Sequence, residues 1–170
     1  NIVPIVEPEV LMDADNTIEV CEDVTRRVLK ATFAELAKQQ VALEGILLKP
    51  NMVISGKKCP VQATPQAVAE RTLAVLKECV PASVPGIVFL SGGQSDELAT
   101  EHLDIMNKLG KAAGGLPWAL SYSYGRALQA AALKAWAGKA ANIEAGKAAY
   151  YKRAKLNTLA TRGEYSTSME

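Results

Sequence analysis

Residues 41–50 read Val41-Ala-Leu-Glu-Gly-Ile-Leu-Leu-Lys49-Pro50, a short run of Leu, Ile and Val closed by a lysine and a proline. Its length and composition predict a buried parallel strand over Val41–Lys49. Lysine is seldom buried without a partner. One at the carboxyl end of such a strand stands at the edge of a dry interior, where desolvation disfavours the ammonium. The neutral amine can attack a ketone or aldehyde and form a Schiff base. The competing reading is a lysine that buries only its stem and reaches back to water. The segments on either side favour the first.

Upstream, Asn1-Ile-Val-Pro-Ile-Val-Glu7 predicts a strand ending in a carboxylate, and apolar spacing predicts a helix over Ile18–Gln39. Downstream, Thr64-Pro65 supplies an N-cap and a first-turn proline for a helix to about Val80. Pro85-Gly86 breaks the chain before a strand over Ile87–Ser91. Ser95, with Asp96 and Glu97 behind it, opens a helix to Leu109. After a glycine-rich turn, Trp118–Ser123 reads as a fourth strand. An alanine-rich helix from Gly125 to Ala137 and a last helix from Ala141 to Leu159 follow. Strands alternating with helices imply an α/β fold with a parallel sheet and right-handed crossovers. Glu7, Lys49 and Ser91 are evenly spaced, and each predicted strand closes on a polar or glycine signature. In a (β/α)8 barrel such strand ends build the active site together.

The chemistry at those ends agrees. Glu7 and Glu9 flank Pro8. Two carboxylates crowded together disfavour each other's charge, so one can hold and pass a proton, as carbinolamine formation and dehydration require. A solvated acidic turn is the plainer alternative. Ser91-Gly92-Gly93 leads into a helix, where glycines allow close approach and backbone amides attract phosphate. Ser123-Tyr124-Gly125-Arg126 repeats that logic with a guanidinium, which binds phosphate bidentately and stays charged. Barrels often hold phosphate on the loops after their seventh and eighth strands. The residues themselves therefore point to a Schiff-base lyase acting on a phosphorylated ketose or ketone.

The 170 residues are 49% hydrophobic with a formal net charge of +1, room for one sizeable core over residues 1–170. Scattered charges leave no nucleic-acid or membrane footprint. The apolar runs are too short to span a bilayer. Cys21, Cys59 and Cys79, an odd set without a CxxC pair, read as reduced thiols of a cytoplasmic protein. His102 sits in a helical pattern and is expected on that helix's surface.

The stretches Val3–Glu9, Leu43–Val53, Gly86–Ser95 and Pro117–Gln129, with Lys134-Ala-Trp-Ala-Gly-Lys139, closely resemble class I fructose-bisphosphate aldolase. The resemblance covers nearly the whole chain. It implies that Lys49 forms the Schiff base, that Glu7 handles protons, and that Glu9 supports it. It implies that Leu90, Ser91, Gly92 and Gly93 line the substrate 1-phosphate, with Gly125 and Arg126 holding the same group and Ser123 and Tyr124 completing that loop. No metal or cofactor is implied, because the iminium is the electron sink. The substrate implied is a phosphorylated sugar, in glycolysis and gluconeogenesis. The fold implied is strands five to eight of a TIM (β/α)8 barrel, half a barrel with a C-terminal helix. The aspartate and two lysines that the family carries on earlier strands, and its C-terminal tail ending in tyrosine, have no counterpart here. The expected partners are therefore the N-terminal half of the barrel and, when complete, further copies in a homotetramer. A non-catalytic binding or scaffold module is the alternative. Transaldolase, another Schiff-base barrel, would not share the two phosphate loops.

Overall fold

In the computed structural model, which describes residues 2–170, four short parallel strands lie side by side in chain order. They are β1 (Ile5–Val6), β2 (Leu47–Leu48), β3 (Gly86–Phe89) and β4 (Ala119–Tyr122). Helices α1 (Ile18–Lys38), α2 (Pro65–Cys79) and α3 (Asp96–Ala112) connect them, and α4 (Arg126–Trp136) and α5 (Ile143–Thr161) follow β4. Each connection shifts by one strand in the same direction, so right-handed crossovers put the helices on one face of the sheet.

Side chains alternate between the two faces. Leu48, Ile87 and Leu120 share one register row and are buried. The preceding row shows the opposite face: Ile5 is half exposed, Leu47 partly buried and Ala119 exposed. The core lies between the sheet and the helices, where Leu29, Leu76, Leu103 and Met106 are almost wholly buried with Ile87 and Phe89.

The helix boundaries agree with the pattern because the caps do. Thr64 accepts from the Ala67 amide at 3.2 Å and Ser95 from the Leu98 amide at 3.1 Å. The strands are shorter than expected. Asn1 lies outside the described residues, and the first strand contains only Ile5 and Val6.

The run 41–49 is not one strand. Val41 is consumed in ending α1: Gln40 takes a left-handed φ of 54°, its amide donates to Ala37 O, and Val41 N–H donates to Leu36 O, both at 3.0 Å. That is a Schellman stop with glutamine where glycine is usual. Leu43–Gly45 then forms a 3-10 turn, leaving Leu47–Leu48 for the ladder. Gly110–Ala112, expected in a connection, belongs to α3. Cys21, Cys59 and Cys79 are free and buried.

Candidate active site

Glu7 and Lys49 each stand one residue past the register pair Val6–Leu48, so their side chains leave adjacent strands on the same, less covered face. Lys49 N–H donates to Val6 O at 2.7 Å and Leu47 N–H to Pro4 O at 3.0 Å, which locks that alignment. Lys49 Nζ lies 3.1 Å from Glu7 Oε1. The lysine side chain is 20% exposed and the glutamate 47%, so the pair sits at the rim, where a ligand can reach it.

Glu9 reaches the loop after β3. Its Oε1 lies 3.2 Å from where a Cβ on Gly92 would stand, so that glycine makes room for the carboxylate. Gly93 is required twice over. Its φ is +79°, and an added Cβ would stand 2.7 Å from Met12 Cβ. The loop closes with Gln94 N–H donating to Ser91 O at 3.3 Å, while the amides of Ser91, Gly92 and Gly93 find no acceptor among the described residues. Leu90 is buried and tied to the β2 exit by its amide, which donates to Pro50 O at 3.2 Å. A phosphate can be met by three unbonded amides of this kind.

Arg126 begins α4, directly after its N-cap Gly125. Its guanidinium donates to Asp96 Oδ1 at 3.0 Å, to Ser91 O at 3.3 Å and to Gln94 O. The two predicted phosphate loops therefore meet through this side chain, which remains half exposed. Ser123 donates its amide to Phe89 O at 2.9 Å.

Tyr124 shares its parity with Leu120 and Tyr122 and so faces the helices. Its hydroxyl is buried and donates to Ala99 O at 2.8 Å, and burial pushes its ionisation up. The Tyr124 side chain is thus committed to α3, leaving only its main chain for the loop. The alternation of β4 carried that signal.

His102 is a correction. It is buried, not on the helix surface, with Nδ1 2.6 Å from Gln94 Oε1. Burial lowers its pKa to about 4. It lies on the stripe Ala99, Leu103, Met106, all buried, so helical spacing placed it inward. Asp96, Gln94 and the buried Asn51 also shape the site and were not singled out by the sequence pattern. Among the described residues no group of three or more His, Cys, Asp or Glu could hold a metal ion.

A cavity of about 750 Å³ lies away from this constellation, between α4 and α5. Leu133, Trp136, Ile143, Tyr150 and Tyr151 line it and are all exposed.

Known proteins resemble this chain in sequence and fold. The family model described as fructose-bisphosphate aldolase class-I, glycolytic, matches residues 1–170. Fructose-bisphosphate aldolase B of Gallus gallus is 54% identical over 169 residues, 98% of this chain and 45% of the relative. The fructose-bisphosphate aldolase of Dictyostelium discoideum is 48% identical over 165 residues, 97% of this chain and 45% of the relative. A solved structure of fructose-bisphosphate aldolase from Plasmodium falciparum, in complex with TRAP and a small-molecule inhibitor, superimposes with a TM-score of 0.92 at 48% identity. That match covers 97% of this chain and 46% of the other. The chain thus spans somewhat less than half the length of these relatives, and its four-stranded parallel sheet is part of their barrel. With that likeness running from the first residue to the last, the chain belongs to the class I fructose-bisphosphate aldolase family.

Proposed function

We propose that this chain forms the C-terminal half of a Schiff-base aldolase. The complete protein cleaves fructose 1,6-bisphosphate reversibly to dihydroxyacetone phosphate and glyceraldehyde 3-phosphate, in glycolysis and gluconeogenesis. The observation that carries this reading is the Lys49–Glu7 contact of 3.1 Å at the carboxyl ends of adjacent parallel strands.

That contact is a path for a proton. A transfer from Lys49 to Glu7 leaves a neutral amine beside a carboxylic acid. The amine nitrogen bonds to the ketone carbon, and the carbonyl π pair moves to oxygen, which takes a proton. The nitrogen gives up its own proton, and Glu7 can carry both transfers. In the resulting carbinolamine the hydroxyl is protonated, the C–O bond breaks, water leaves, and the nitrogen lone pair completes the iminium. Cleavage of the C3–C4 bond then sends its electron pair into the iminium to form an enamine. The C4 hydroxyl loses its proton and the aldehyde departs.

The unbonded amides of Ser91, Gly92 and Gly93 suit the 1-phosphate, with Leu90 behind them. Arg126 rests on two neutral carbonyls and one carboxylate, and a dianionic phosphate would draw it from the carbonyls. Ser123, Tyr124 and Gly125 bring it there. Glu9, against Gly92, links the acidic loop to the phosphate loop.

The complementing partner is the N-terminal half of the barrel, and residues 1–170 act as one unit that receives it. Two features support this. The sheet ends openly at β1 and β4, and the apolar cavity between α4 and α5 adjoins β4 through the Tyr122 hydroxyl, which donates to Ala154 O at 3.4 Å. A homotetramer in the cytoplasm is the assembly we infer for the complete protein. The family favours the oligomer, and the three free thiols favour a reducing compartment.

The test is borohydride reduction with dihydroxyacetone phosphate followed by peptide mapping, on the chain completed by a relative's first four strands. A reduced adduct on Lys49 is expected. Labelling of any other lysine, or none while the relative itself labels, overturns the reading in favour of a binding or scaffold module without turnover.

A further inference from the structure

Asn51 stands two residues past Lys49 and is 2% exposed, although it is polar and belongs to no strand or helix. Its three hydrogen bonds join two distant segments to its own. Oδ1 accepts from Val10 N–H at 3.1 Å, and Nδ2 donates to Thr25 Oγ1 on α1 at 3.0 Å and to Met52 O at 3.1 Å. A buried amide satisfied on both ends fixes the groups it joins, because any displacement leaves polar atoms unpaired away from water.

What it fixes is the acidic loop. Glu7-Pro8-Glu9 lies between two anchors, and both come from the tripeptide Lys49-Pro50-Asn51. On one side Lys49 N–H donates to Val6 O at 2.7 Å. On the other Asn51 Oδ1 receives Val10 N–H. Pro8 has no N–H to add a third. No hydrogen bond ties the Glu9 side chain, and the Glu7 side chain meets only Lys49, among the described residues. Both residues are exposed, Glu7 by about half its side chain, so packing alone does not fix them. The direction of Glu7 toward Lys49 and of Glu9 toward Gly92 therefore depends on where Val10 is held.

We infer that Asn51 is a positioning residue of the active site: by clamping Val10 to the segment that leaves β2 and bears Lys49, it holds Glu7 in proton-transfer reach of Lys49. This rests on the Schiff-base reading above. Asn51 touches no substrate and supplies no proton. Its loss acts through Glu7.

The test is a double-mutant cycle on the completed protein, read as the rate of borohydride-trapped adduct formation at Lys49 with dihydroxyacetone phosphate. Asn51→Ala is expected to slow trapping about tenfold or more, since a positioned general acid-base group contributes roughly 10²–10⁴-fold and a misplaced one keeps part of that. The concentration of dihydroxyacetone phosphate giving half the maximal rate should move less than about twofold, because Asn51 makes no hydrogen bond to either phosphate loop. In a Glu7→Gln background Asn51→Ala should slow trapping no further, the non-additivity expected when one residue acts through the other. Thr25→Val, which keeps the shape but removes the acceptor of Asn51 Nδ2, should give a smaller slowing of the same kind, and Thr25→Ser should restore the rate. An Asn51→Ala protein trapping at the wild-type rate overturns the inference. So does a slowing that persists undiminished in the Glu7→Gln background, which assigns Asn51 a general structural role. If Asn51→Ala does not fold, the Thr25→Val and Thr25→Ser pair decides by the same criteria. Absence of any Lys49 adduct in the wild-type protein is a different failure and sinks the aldolase reading beneath it.

Discussion

In the proposed site Lys49 and Glu7 are the reacting pair, and the residues around them mostly do positioning. Asn51 holds the Val10 amide beyond Glu9, Gly93 lets Met12 pack against the loop after β3, and Arg126 joins that loop to the start of α4. Tyr124 belongs to this supporting set. Tyr124→Phe removes the hydroxyl bond to Ala99 O, and we expect a loss of about 1 kcal/mol in denaturant unfolding with trapping at Lys49 unchanged. A large fall in substrate binding would instead place its hydroxyl in the site. His102 makes stability depend on pH. Its folded pKa is lowered to about 4 from an ordinary 6.5, so between those values the unfolded chain binds more protons. Stability is therefore full above about pH 6.5 and falls as the pH drops toward 4, by about 3 kcal/mol in all. Melting curves taken between pH 4.5 and 7.5 should show this fall in the wild type and lose that share of it in His102→Asn.

At the scale of elements, capping and stopping signals set the boundaries. The hydroxyls of Thr64 and Ser95 start α2 and α3 where the pattern placed them. The end of α1 is less comfortable, because Gln40 takes the left-handed conformation at φ 54° that costs a residue with a Cβ roughly 1 kcal/mol. Gln40→Gly is expected to raise the unfolding free energy by about 0.5–1 kcal/mol, read as a higher denaturant midpoint with an unchanged slope. A lower midpoint would mean that glycine's extra unfolded-state entropy outweighs the relief. The same stop explains why the run 41–49 is only partly strand. Four of its residues are spent on ending a helix and on a 3-10 turn before the ladder begins.

For the whole molecule the decisive feature is incompleteness of the sheet. β1 and β4 have a strand neighbour on one side only, and the apolar row through Ile5 and Leu47 faces outward. Unpaired edges and exposed aromatics favour association. In sedimentation, the chain by itself should form species that grow with concentration, and adding a relative's first four strands should replace them with one defined assembly. A monodisperse, cooperatively melting monomer would count against the half-barrel reading.

How much of this was legible beforehand follows from what each level can encode. Periodicity, caps and the polar strand ends are local, so the α/β order, the helix starts and the candidates Glu7, Lys49, Ser91 and Arg126 could be read from the chain alone. Which face a residue takes near a strand's end, whether His102 is covered, and what Asn51 reaches are pairings between distant segments. They depend on register and on which helix packs over which strand. Only the folded sheet brought Val10, Thr25 and Asn51 together, because hydrogen bonds across such separations have no signature in the spacing of residues along the chain.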